Sequence, residues 1–108
     1  MIRATVRGTT LKLQGHAGAA ACGQDLICAA VTGLAYALAQ RLTELELVGA
    51  FKEPPVICLK AGDALITAFP KEEHETLVQE NFNLIQSGLQ LLQAHYPNHI
   101  KVSERKEK

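Results

Sequence analysis

The segment from Asp25 to Gly49 constrains the fold more than any other. Its apolar residues Ile27, Val31, Leu34, Leu38, Leu42 and Leu45 recur at the three-four spacing of a helix face. Ala29, Ala30, Ala35, Ala37 and Ala39 favour helix and let neighbours pack closely. Asp25 suits the N-cap, where its carboxylate can accept from the N–H groups of Ile27 and Cys28. Gly49 marks the end. Polarity is scarce on every side before Gln40, so this helix is expected to be largely buried.

The flanking segments follow a different period. Ile2 to Arg7 alternates apolar and polar residues, Gly8-Thr9-Thr10 turns, and Leu11 to Gln14 alternates again. That is a β-hairpin. Gly15 to Gln24 is small and glycine-rich and reads as a loop. After the helix, Pro54-Pro55 ends a short linker. Val56 to Leu59 and Ala64 to Phe69 form a second hairpin around Gly62-Asp63. Pro70 opens a second helix with Glu72, Glu73 and Glu75 in its first turn, where the helix dipole favours acids. Leu77, Val78, Phe82, Ile85, Leu89 and Leu92 form its apolar face, widened by Leu84 and Leu91. It stops before Pro97, and Ile100 to Val102 adds a short edge strand. The order is β-β-α-β-β-α-(β). It predicts an α+β domain over residues 1–103, with two long helices packed on a mostly antiparallel sheet, and a charged, solvated tail over 104–108.

The chain has 108 residues and only 5% aromatic residues, with no Trp, so its single core rests on Leu, Ile, Val and Ala. A core of this size leaves a modest stability margin. The net charge is zero but unevenly spread: +3 over residues 1–24, −5 over 25–100 and +2 over 101–108. No overall basic field exists to hold nucleic acid, so direct nucleic-acid binding is not expected. Three cysteines, Cys22, Cys28 and Cys58, cannot complete a disulfide framework. The polar, basic start lacks the apolar run of a secretory signal. The apolar stretch from Leu26 to Ala39 is too short to span a bilayer. A reduced, cytoplasmic protein is the expectation.

The chemistry concentrates between Gly15 and Ala30. Cys28 falls in the first turn of the buried helix, where unpaired N–H groups and the dipole stabilise a negative sulfur. His16, on a glycine-flanked loop, can reach that thiol, take its proton and later protonate a leaving amine. Each residue also has a plain reading. A Cys in a Leu/Ala-rich helix is commonly an inert small hydrophobe, and a His beside a glycine turn is commonly a polar loop residue. Zinc held by His16, Cys22, Cys28 and Cys58 would lack a C-x-x-C or H-x-x-x-H element, which argues against it.

Gly15 to Thr32 reads G-H-A-G-x-x-x-x-G-x-D-x-I-C-A-A-V-T. This resembles the signature of the ribosomal-processing cysteine protease family, whose members remove a short N-terminal extension from a large-subunit ribosomal protein. The layout is similar over nearly the whole chain, and the motif is specific from Gly15 to Thr32. The resemblance implies that His16 is the general base and Cys28 the nucleophile, with Asp25 as the acid before the nucleophile. Thr32 stands where the family often has Ser, and Ala19-Ala20-Ala21 replaces a loop in which Tyr is common. Cys22 and Cys58 match no catalytic position. The resemblance also implies a homodimer and a precursor peptide as substrate, with no metal and no cofactor.

Asp25 has two readings, an N-cap and a third catalytic member orienting His16. Gly15, Gly18 and Gly23 read as hinges of a loop that closes on substrate. N–H groups at the helix start are candidate oxyanion donors. The rival from another class is a non-catalytic ribosome-associated or protein-binding module, in which the glycine loop grips a partner and Cys28 is packing.

Overall fold

The computed structural model describes residues 1–18 and 25–103; the expected tail at 104–108 lies outside them. The elements are β1 (Ile2–Arg7), β2 (Thr10–Gln14), α1 (Leu26–Leu47), β3 (Phe51–Lys60), β4 (Asp63–Pro70), α2 (Glu75–His95) and β5 (Ile100–Ser103). They build one sheet in the order β3-β4-β2-β1-β5. Three pairings are antiparallel, and the β1–β5 pairing is parallel. The expected α+β architecture is therefore present, with β5 completing the sheet beside β1. Through the intervening antiparallel strands, β2 runs parallel to β3 and β4 parallel to β5. Each helix is thus a crossover between two parallel strands.

The period-two pattern decides which sheet face is covered. Ile2, Ala4, Val6, Leu11, Leu13, Ala64, Ile66, Ala68, Ile100 and Val102 are buried. The register pairs Ala4 with Leu13 and Val102, and Leu11 with Val6 and Ile66, so they share one face. Both helices close that face with Val31, Leu38, Leu42 and Leu45 from α1 and Val78, Phe82, Ile85 and Leu89 from α2. The two helices meet where Gly88 of α2 faces the Leu34 side chain. The opposite sheet face is open to solvent and carries Arg3, Arg7, Lys12 and Lys101, all exposed.

Four local expectations need correction. Pro54-Pro55 is not a linker but part of β3, whose pairing with β4 shifts between Phe51 and Glu53 and between Glu53 and Val56. An edge strand tolerates proline because its outer N–H groups need no partner. Pro70 closes β4 opposite Phe51 instead of opening α2. A 3-10 turn at Glu72–His74 then leads into α2, so the acids still cluster at the helix start. The α1 helix is not largely buried: Leu26, Ala29, Ala30, Tyr36 and Ala37 face solvent, because the sheet touches only one stripe of it. Finally, α1 continues to Leu47 and is long and apolar enough to cross a membrane by length and composition. Its buried stripe nonetheless packs into the sheet core.

On α2, the residues expected to widen the apolar face stay outside the core, with Leu84 68% and Leu91 60% exposed. The helix surface adds little electrostatic stabilisation. Arg41 and Glu44 form the one ion pair among the described residues, at 3.1 Å. Hydrogen bonds from Gln40 and then Arg41 hold the Glu44 carboxyl below its usual range, but so exposed a pair contributes little.

Stability therefore rests on the sheet–helix core. Phe82, fully buried at its centre, should lose about 3–5 kcal/mol on Phe82→Ala, measurable by urea denaturation. A loss below 1 kcal/mol, on the order of a surface substitution, would contradict this packing.

Candidate active site

The first turn of α1 begins where β2 has just ended, at the same end of the sheet as the β3–β4 turn. Asp25 starts the helix as expected. Its Oδ1 accepts from the N–H of Ile27 and of Cys28, both at 3.0 Å, and its carbonyl accepts from Ala29. Asp25 is the one buried charged residue among the described residues. These bonds fix the position of Cys28, whose side chain is half-buried against the core. They also engage two N–H groups that sequence reasoning offered as oxyanion donors. A carboxylate at the N-cap is the better acceptor for them.

The loop before the helix reaches the thiol through its backbone. The N–H of Ala17 donates to Cys28 Sγ at 3.2 Å. Ala17 is buried, so its neighbour His16 is carried to the rim of the thiol. The His16 imidazole is itself exposed and rests on the β3–β4 turn, where a Cβ on Gly62 would lie 2.7 Å from His16 Nε2. No hydrogen bond joins His16 to Cys28.

Glycines allow these close approaches. Gly15 adopts φ +92°, donates its N–H to the Gly62 carbonyl at 2.9 Å, and lies so near the Met1 carbonyl that a Cβ would overlap it. Gly62, at φ +75°, provides the bare surface on which the imidazole sits. Gly18 also has a positive φ, of +71°, in open space. Gly23 and Cys22 lie outside the described residues. Thr32 is exposed one turn beyond Cys28 and makes no side-chain hydrogen bond among the described residues.

Cys58 faces away from the helix-covered side of the sheet. It pairs in register with Leu65, alternating with the buried Ala64 and Ile66, and so lies on the open face of the sheet. No group of three or more His, Cys, Asp or Glu side chains could hold a metal among the described residues. Two surface recesses, of about 410 Å³ between Gly8-Thr9 and α2 and about 680 Å³ between α2 and β5, include neither His16 nor Cys28.

Sequence reasoning missed Gly62 and His99. The His99 Nδ1 lies 2.9 Å from the Ala17 carbonyl, although 82 residues separate them. Only folding brings them together; the Gly62-Asp63 pair marks a turn, but no local pattern marks its contact with His16 or the role of His99.

A free thiol in the first turn of a helix, touched by a histidine-bearing loop, is the arrangement of the thiol peptidases. The chain belongs to the family described as Cysteine protease Prp, whose profile matches residues 1–101. Its fold is similar to that of an essential ribosomal processing protease from S. aureus, crystallised with a covalently linked product peptide. That likeness has a TM-score of 0.73 at 20% identity, over 96% of this chain and 97% of that one. The same S. aureus protease crystallised with a substrate peptide gives 0.68 at 18% identity, over 96% and 97%. A Streptococcus mutans protein gives 0.66 at 24% identity, over 95% and 92%. No curated protein sequence matches the chain significantly.

The Gly62 seat yields a test. A Gly62→Ala side chain would overlap the imidazole and strain a left-handed residue, at a cost of about 1–3 kcal/mol. Denaturation should show that loss and the His16 ring resonances should shift in NMR spectra. Unchanged stability with unmoved resonances would contradict the contact.

Proposed function

We propose that this chain is a cysteine endopeptidase that removes a short N-terminal extension from a large-subunit ribosomal protein precursor, in the cytoplasm. The observation that carries the reading is the Ala17 N–H on Cys28 Sγ, which sets the His16 loop against a thiol at a helix N-terminus. Membership of the Cysteine protease Prp family and the peptide-bound S. aureus relatives support it.

In this mechanism His16 leaves Gly62, takes the Cys28 proton and becomes imidazolium. The thiolate attacks the scissile carbonyl carbon and forms the C–S bond as the carbonyl π pair moves to oxygen. Collapse of the tetrahedral intermediate breaks the C–N bond, and His16 returns its proton to the departing amine. Water, deprotonated by His16, then attacks the thioester; the carboxylic acid leaves and Cys28 regains its proton. Asp25 acts as the cap that fixes the nucleophile. Thr32 offers a hydroxyl one turn away, and Gly15 and Gly18, with Gly23 in the same loop, let the segment close over substrate.

A homodimer belongs to the same reading. Leu26, Tyr36 and Leu47 on α1 and Leu84 and Leu91 on α2 leave large apolar side chains in solvent. Patches of this kind mark association surfaces, and a second copy would cover them.

Two experiments test these statements. Wild type should cut a peptide bearing such an extension, while Cys28→Ala and His16→Ala should lose activity by at least about a hundredfold and stay folded. An inert wild type, or a Cys28→Ala variant that still cuts, would overturn the protease reading. In light scattering, wild type should have twice the mass of a Leu84→Glu/Leu91→Glu variant; equal masses would remove this surface as the dimer contact.

A further inference from the structure

A peptide carbonyl can only accept, so the 2.9 Å contact between His99 Nδ1 and the Ala17 carbonyl requires a proton on Nδ1. The ring is therefore a donor at that nitrogen. The N–H of Ala17 donates in turn to Cys28 Sγ at 3.2 Å. Ala17 thus touches His99 through its carbonyl and the sulfur through its N–H.

His99 is itself held in place by its backbone. Its N–H donates to the Tyr96 carbonyl at 3.0 Å, and its carbonyl accepts from the Ile2 N–H at 2.9 Å. The Tyr96–His99 turn is thereby tied both to the end of α2 and to the start of β1. Ala17 is 3% exposed, so water competes poorly for the N–H that meets the thiol. A hydrogen bond to an anionic sulfur is stronger than one to a neutral thiol. With the Ile27 and Cys28 N–H groups held by Asp25, Ala17 provides, among the described residues, the donor found on the sulfur itself.

We infer that the Ala17 N–H is the group that stabilises the Cys28 thiolate, and that His99 is the positioning residue that aims it by fixing the Ala17 carbonyl. This rests on the protease reading only for its consequence, since thiol reactivity can be measured without any substrate. When the Cys28 proton leaves, the N–H already points at the charge that appears. Nothing has to reorganise at that step, which is how preorganised donors act. Without His99 the Ala17 peptide is free to rotate, and the donor is lost from the sulfur.

The test is the rate of Cys28 alkylation by iodoacetamide at pH 7, in chains carrying Cys22→Ser and Cys58→Ser so that one thiol reports. His99→Ala should react roughly tenfold more slowly than its parent, the loss expected for one charge-assisted hydrogen bond. His99→Asn should restore most of the rate, because its Nδ2 sits as many bonds from Cα as Nδ1 of histidine. His99→Gln, whose amide nitrogen is one bond further out, should not. Should His99→Ala fail to fold, the Asn and Gln variants decide alone. Parent-like rates in the Ala variant, or equal rates in Asn and Gln, would overturn the inference. Peptide cleavage by wild type separates the two readings. If it cuts nothing while the alkylation pattern holds, the positioning role stands and the protease reading falls. If it cuts while His99→Ala reacts normally, the positioning role falls and the protease reading stands.

Discussion

The burial of a single sheet face under two helices is the constraint on which the rest of this molecule depends. A five-stranded sheet with its polar side in water must cover its apolar side. Here α1 and α2 do so side by side, each linking two parallel strands. That connectivity forces α1 to begin at the end of the sheet where β2 stops and the β3–β4 turn projects. The thiol, the histidine loop and the glycine turn are gathered there by the path of the chain. Removing apolar contacts far from Cys28 would therefore loosen the site as well as the core.

Around that helix start, hydrogen bonds divide the work between charge and position. Asp25 satisfies the N–H groups of Ile27 and Cys28 and so fixes the helix and the sulfur it carries. The Ala17 N–H meets that sulfur from the loop side. The imidazole of His16 waits on Gly62, out of hydrogen-bonding contact with Cys28. The resting arrangement thus leaves the His16 ring on Gly62 and the Cys28 sulfur on the Ala17 N–H.

Charge segregation is a second consequence of the topology. The chain is neutral overall, yet Arg3, Arg7, Lys12 and Lys101 share the open sheet face, with Arg3 beside Lys101 in the β1–β5 register. The acids at Glu72, Glu73 and Glu75 lie by contrast at the start of α2. A net charge of zero therefore describes the sum and not the surface, because alternation along β1, β2 and β5 sends every basic side chain of those strands the same way.

Most of the fold was legible in the sequence because its signals are local. The period of two in Ile2–Arg7, the three-four spacing from Ile27 to Leu45 and the Asp25 cap each act within a few residues, and each appears where expected. The motif from Gly15 to Thr32 likewise pointed to His16 and Cys28 as neighbours in chemistry. The errors fell where tertiary placement overrides local preference. Pro54 and Pro55 are strand residues because β3 is an edge, and Pro70 ends a strand because Phe51 pairs with it. Leu84 and Leu91 stay in solvent because they project from the side of α2 away from the buried stripe of Val78, Phe82, Ile85 and Leu89. Gly62 was legible as a turn but not as the seat of His16, and His99 had no readable signal, since each acts on a loop distant in sequence. The sequence by itself determined the elements and the cap. Only the tertiary structure decided which carbonyl His99 holds, where the imidazole rests and which face gathers the cations, because those depend on contacts between segments that no local period encodes.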